Sequence, residues 1–138
     1  MDIYEILQTT DAKINFLKGL IRIAKCDGKV DETERIYFEQ MARSLGVDES
    51  KLPMLNEFWN KNENLCVQFA SQREKNFFLI QAIQLCWVDG GYSEVEKNEI
   101  RKITRELAVS VEVLEAIEEW AYEGILWNQK SENLLNMR

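Results

Sequence analysis

Apolar residues recur along this chain at helical spacing, and each run is bounded by residues that start or stop helices. Ile14, Leu17, Leu20, Ile21 and Ala24 form one stripe and predict an amphipathic helix over about 12–26. A short helix over about 3–8 precedes it, with Thr9, Thr10 and Asp11 placed to cap the second. Phe38, Met41, Ala42 and Leu45 define a third helix over about 32–45, stopped by Gly46. Asp48 opens a fourth that runs to about 61, with a loose or 3₁₀-like start because Pro53 is tolerated only near a first turn. Residues 60–64 break the pattern, and 65–70 fit neither period clearly. Ser71-x-x-Glu74 reads as a capping box for a fifth helix over about 72–88. Between Phe77 and Val88 only Gln81 and Gln84 are polar, so this helix belongs in the middle of the domain. Ile100, Ile103 and Leu107 mark a sixth helix over about 94–107. Ser110 caps a seventh, with Val113, Leu114, Ile117, Trp120, Ala121, Gly124 and Ile125 as its inner stripe and a frayed tail from about 128.

The pattern also repeats. Asp27-Gly28-Lys29-Val30-Asp31-Glu32-Thr33-Glu34 returns 62 residues later as Asp89-Gly90-Gly91-Tyr92-Ser93-Glu94-Val95-Glu96. The apolar frame follows at the same offset: Leu17 with Leu79, Ile21 with Ile83, Phe38 with Ile100, Met41 with Ile103, Leu45 with Leu107, Val47 with Val109 and Leu52 with Leu114. A repeated skeleton around a repeated turn is one supersecondary unit used twice. The expectation is a single all-α domain over 1–138, with about seven helices. Two similar helix-loop-helix halves, about 12–61 and 71–127, would pack around the central helix at 72–88.

Composition narrows the function. A net charge of −7 disfavours a nucleic-acid partner, because phosphate binding needs clustered Lys and Arg. No run approaches the ~20 apolar residues that span a bilayer, and the N-terminus lacks the pattern of a signal peptide. Cys26, Cys66 and Cys86 are odd in number and widely spaced, which reads as buried, reduced thiols in a cytoplasmic protein. Histidine is absent, which removes the commonest general base and the usual zinc ligand. No catalytic residue is assigned and an enzyme is not expected. The four tryptophans at helical spacing read as core or core edge, with Trp127 the exposed one; Arg43 and Arg105 could pair with the acidic turns or with any surface carboxylate, and the surface carboxylates are favoured. Glu115, Glu118, Glu119 and Glu123 form a solvated face able to dock a basic protein partner.

The acidic turns admit two readings. Aligned with a calcium loop of the EF-hand type, Gly28 and Gly90 take position six, and Asp27, Asp31, Glu34, Asp89 and Glu96 fall on later ligand positions. The front half fails, since positions one and three hold Ile23 and Lys25, or Leu85 and Trp87. Alternatively, Asp31-x-x-Glu34 and Ser93-x-x-Glu96 are capping boxes that need no ligand. Capping leaves Asp27 and Asp89 unexplained, because a carboxylate at a helix C-terminus meets the negative end of the dipole. If the halves bring both turns together, Asp27, Asp31, Glu34, Asp89 and Glu96 form an oxygen-rich site suited to Ca²⁺, Mg²⁺ or Mn²⁺.

The duplicated helix-Asp-Gly-x-apolar-x-x-x-Glu-helix unit resembles the TerB-like family of bacterial tellurite-resistance proteins. The matching stretches run from Ala24 to Glu34 and from Trp87 to Glu96, within a resemblance covering about 12–127. It implies a seven-helix bundle without demonstrated enzyme activity, a link to tellurite and general stress resistance, and membership of membrane-associated assemblies with protein partners. It also implies metal binding by the acidic positions that fall here on Asp27, Asp31, Glu34, Asp89 and Glu96. Ser93 stands where the first copy has Asp31, which makes the second ligand set the poorer one. Nothing in the chain supplies tellurium chemistry itself.

Overall fold

The computed structural model describes residues 2–28, 31–61, 65–88 and 90–138. Among these there are seven α-helices and no strand: α1 (Ile3–Ile6), α2 (Thr10–Lys25), α3 (Glu32–Ser44), α4 (Leu52–Phe58), α5 (Gln72–Val88), α6 (Glu94–Glu106) and α7 (Val111–Leu135). A 3₁₀ turn at Glu49–Lys51 leads into α4, with Asp48 capping it and Pro53 in the first turn of the helix. The all-α architecture expected from periodicity is therefore observed.

The repeat is visible in the backbone. Helices α2, α3 and α4 recur as α5, α6 and α7, and α3 and α6 keep the 62-residue offset at both ends. Their C-termini close in the same way. Val47 N–H donates to the Ala42 carbonyl and Gly46 N–H to Arg43, while Val109 N–H donates to Thr104 and Ala108 N–H to Arg105, each at 3.0 Å. This is the Schellman arrangement, which needs a left-handed residue after the helix. Gly46 supplies it at φ 79°, and Ala108 supplies it at φ 56° despite its Cβ.

The paired apolar positions are nearly all buried: Leu17, Leu79, Ile21, Ile83, Leu45, Leu107, Val47, Val109, Leu52 and Leu114 among them. Helix α5 packs on α7, α2, α6 and α1, as its all-round apolar surface requires. Its repeat mate α2 is just as central, packing on α4, α5, α3 and α6. The stripe read from sequence understates α2, whose Phe16, Gly19, Arg22 and Ile23 are buried as well. Gly19 makes room for the fully buried Phe78 of α5, whose ring a Cβ there would overlap.

Three local expectations need correction, and the ambiguous stretch 65–70 takes a definite form. Helix α4 ends at Phe58, with a turn at 59–60, short of 61. The ambiguous stretch 65–70 is neither helix nor strand; it is an irregular segment with Leu65 and Val67 buried and Cys66 and Gln68 exposed. Gln68 N–H is held there by the Asn15 side chain at 3.0 Å. Helix α7 does not fray at 128 but continues to Leu135. Its inner stripe is narrower than expected: Leu114, Ile117 and Ala121 are buried, whereas Trp120 and Gly124 face outward.

Candidate functional site: the cleft between the two acidic turns

Each turn follows from its local sequence. Gly28 and Gly90 adopt positive φ, 79° and 116°, and lead the chain away from the ends of α2 and α5. Ser93 then starts α6 with a complete capping box: its Oγ accepts from Glu96 N–H at 3.2 Å and Glu96 Oε1 accepts from Ser93 N–H at 2.9 Å. Asp31 starts α3 differently from expectation, accepting from Thr33 N–H at 2.9 Å, one residue earlier than in a box. Ser71 also departs in part. It accepts from Glu74 N–H, but Glu74 Oε1 takes the Ala70 N–H instead of that of Ser71.

The EF-hand alignment fails in space as it did in sequence. Ile23 and Lys25 lie within α2, and Leu85 and Trp87 within α5. Ile23 is buried, and Lys25 Nζ donates to the carbonyls of Phe58 and Lys61 at 2.7 and 2.5 Å, which ties α2 to the end of α4.

Although 62 residues separate them in sequence, the two turns line one cleft of about 640 Å³. Asp27, Asp31 and Glu34 come from the first turn, and Gly90, Gly91, Ser93 and Glu96 from the second. Leu20, Ile23, Phe38, Leu85 and Cys86 supply its apolar walls. Clefts of this size are typical of small-ligand sites. Four of the five carboxylates expected to bind metal thus share one space; the fifth, Asp89, lies outside the described residues. Cys26 registers the convergence. Burial chiefly, and then the charges of Glu96, Glu99 and Asp27, push its thiol up to about 11. Carboxylates of both repeats therefore act on one sulfur.

The donors are hard oxygens, the right kind for Ca²⁺, Mg²⁺ or Mn²⁺. They are spread around the rim: among the described residues, no three His, Cys, Asp or Glu side chains converge closely enough to hold an ion. Comparison with protein-family models, with curated proteins and with solved structures finds no match.

Sequence reasoning missed the group that ties the two repeats together. Arg22, buried on α2, donates through Nε to Glu99 Oε1 at 2.6 Å and through Nη1 and Nη2 to Glu106 at 2.5 and 3.2 Å. Nη1 also reaches the Leu65 carbonyl at 3.0 Å. Glu99 and Glu106 stand two turns apart on one face of α6, so a single guanidinium clamps the first half of the repeat to the second. Burial opposes its charge, but the hydrogen bonds to Glu106 and Glu99 and the charges of those two carboxylates together outweigh burial and raise its pKa. The only signal was an arginine set between Ile21 and Ile23.

Other expectations sort plainly. Arg43 pairs with the surface carboxylates Glu39 and Glu49 at 2.9 and 3.1 Å, not with the acidic turns. Of the three cysteines only Cys86 is fully buried, with Cys26 half-buried and Cys66 exposed. Trp59 is core, Trp87 lies in tilted ring contact with Tyr92 and Tyr122, and Trp120 joins Trp127 on the surface. The Tyr92 hydroxyl is buried without a well-formed hydrogen bond and faces Glu118; burial first, then that carboxylate, raise its pKa. Among the described residues, no helix is long and apolar enough to cross a membrane.

Proposed function

We propose that this protein is a non-enzymatic, TerB-like binding module whose ligand site is the cleft between its paired Asp-Gly turns. The observation that carries this reading is that both turns line one cavity, with an apolar interior and carboxylates from each repeat. A divalent cation of the Ca²⁺, Mg²⁺ or Mn²⁺ class would be held by Asp27, Asp31, Glu34 and Glu96, with Asp89 adjacent in the chain. Its chemistry there is charge neutralisation and bridging of the two halves. Asp31 and Glu96 each commit one oxygen to a helix start, so they orient the rim while offering the carboxylate's remaining lone pairs. The duplicated motif and the seven-helix bundle support the link to tellurite and stress resistance, a cytoplasmic location, and work through protein partners in a membrane-associated complex.

A second reading, a ligand-free scaffold, is favoured by the capping bonds themselves and by the lack of three converging donors among the described residues. Thermal unfolding with and without each cation separates the two. An ion at one hundred times its dissociation constant stabilises the fold by about 2.7 kcal/mol. Asp27→Asn and Glu34→Gln, which keep shape and remove charge, should abolish that gain. A wild-type midpoint that no ion moves, matched by both variants, would leave the scaffold reading alone standing.

A further inference from the structure

The repeat accounts for α7 only up to Trp120, the equivalent of Phe58 at the end of α4. Beyond that point α7 continues to Leu135, and after Ala121 no residue of it is buried. This extension carries large apolar side chains in water: Trp127 is 75% exposed and Leu134 67%, and Trp120, at the edge of the repeat, is 47% exposed. A helix of this kind is marginal unless its apolar face is packed.

The face has an order. Trp120, Gly124, Trp127, Ser131 and Leu134 alternate by four and three residues, the spacing of a coiled-coil seam. Large residues sit at one seam position and small ones at the other. Gly124 has open space where a Cβ would stand. Beside the seam lie Glu123 and Lys130, both exposed and neither paired among the described residues.

We propose that α7 pairs antiparallel with α7 of a second copy of this chain. In that register Trp127 packs over Gly124 of the second copy and Trp120 over its Ser131. Glu123 then faces Lys130 of the second copy, and twofold symmetry forms the pair twice. Size and charge are thus self-complementary, which is the requirement of an isologous interface. From Trp120 to Leu134 the seam is about 21 Å long. The exposed surface of the two tryptophans amounts to about 500 Å² over both copies, half of the ~1,000 Å² that a specific interface clears. Leu134 and the stems of Glu123 and Lys130 add to it.

Sedimentation equilibrium of the whole chain tests this, with circular dichroism to verify folding of each variant. Wild type should dimerise reversibly. Trp127→Glu and Gly124→Leu, at positions with no role in the domain core, should each weaken dimerisation about 30-fold or more. Lys130→Glu should weaken it about 10-fold, and Glu123→Lys combined with Lys130→Glu should restore it. A monomer up to the millimolar range would overturn the proposal. So would a dimer indifferent to Trp127→Glu and Gly124→Leu, or a charge swap that fails to restore what Lys130→Glu removes.

Discussion

Replacing Arg22 by Met removes the clamp between α2 and α6 while keeping most of the side chain's volume. The cost follows from what is left behind. Glu99 keeps a side chain only 11% exposed, with Lys102 Nζ at 3.9 Å as its remaining cationic neighbour, whereas Glu106 is 41% exposed and returns to water. Stranding one buried charge of such a pair costs about 3–5 kcal/mol, and for a chain of this length that lowers Tm by about 10–20 °C. Glu106→Gln should cost far less, because water already reaches that carboxylate. Combining Arg22→Met with Glu99→Leu should recover most of the loss, since a well-packed apolar pair of similar volume replaces a buried ion pair at little net cost. Urea unfolding followed by circular dichroism measures all four chains, and unchanged m-values would show that the two-state comparison holds. Loss of under about 1 kcal/mol in Arg22→Met, or a double variant no better than the single, would refute the clamp.

Gly19→Ala should destabilise by about 2 kcal/mol, because the clash with the buried Phe78 ring outweighs the helix propensity alanine gains; urea unfolding reads it. Ala108→Gly should do the opposite, stabilising by about 1 kcal/mol by relieving the left-handed strain that Gly46 avoids in the first repeat. Cys26 should be alkylated with a midpoint at about 11 where an ordinary thiol has 9.0. The folded state holds this proton longer than the unfolded chain, so the thiol's contribution to stability is intact below pH 9.0 and is lost between there and about 11. Glu96→Gln, in the opposite repeat, should shift the alkylation midpoint downward; an unmoved midpoint would mean that the two turns do not share the cleft.

Much of the fold was legible because its determinants are local. Caps at Asp31, Ser93 and Ser110, stops at Gly28 and Gly46, and apolar periodicity mark most helix ends without reference to the rest of the chain. The 62-residue echo predicted which apolar positions share equivalent places in the core. What escaped were features decided by tertiary partners. Residues 65–68 alternate in burial, but among the described residues there is no strand for them to pair with, and their backbone is anchored by Asn15 and Arg22. The reach of α7 was masked by a polar sequence that carries helix formers and no proline or glycine after Gly124. At the candidate site, sequence supplied the carboxylates and the condition that both turns meet. Only the packing of α2 against α5 and α6 shows that four of those carboxylates line one cleft.

On the reading proposed above, this cleft holds one cation between the two halves of the repeat. Titration of the whole chain with Mn²⁺, followed by the loss of the free-ion electron paramagnetic resonance signal, is the decisive measurement. Binding should saturate at one ion per chain, yield to competition by Ca²⁺ or Mg²⁺, and weaken comparably with Asp27→Asn in the first turn and Glu96→Gln in the second. Unsaturable binding, or binding that only one of the two turns affects, would contradict it.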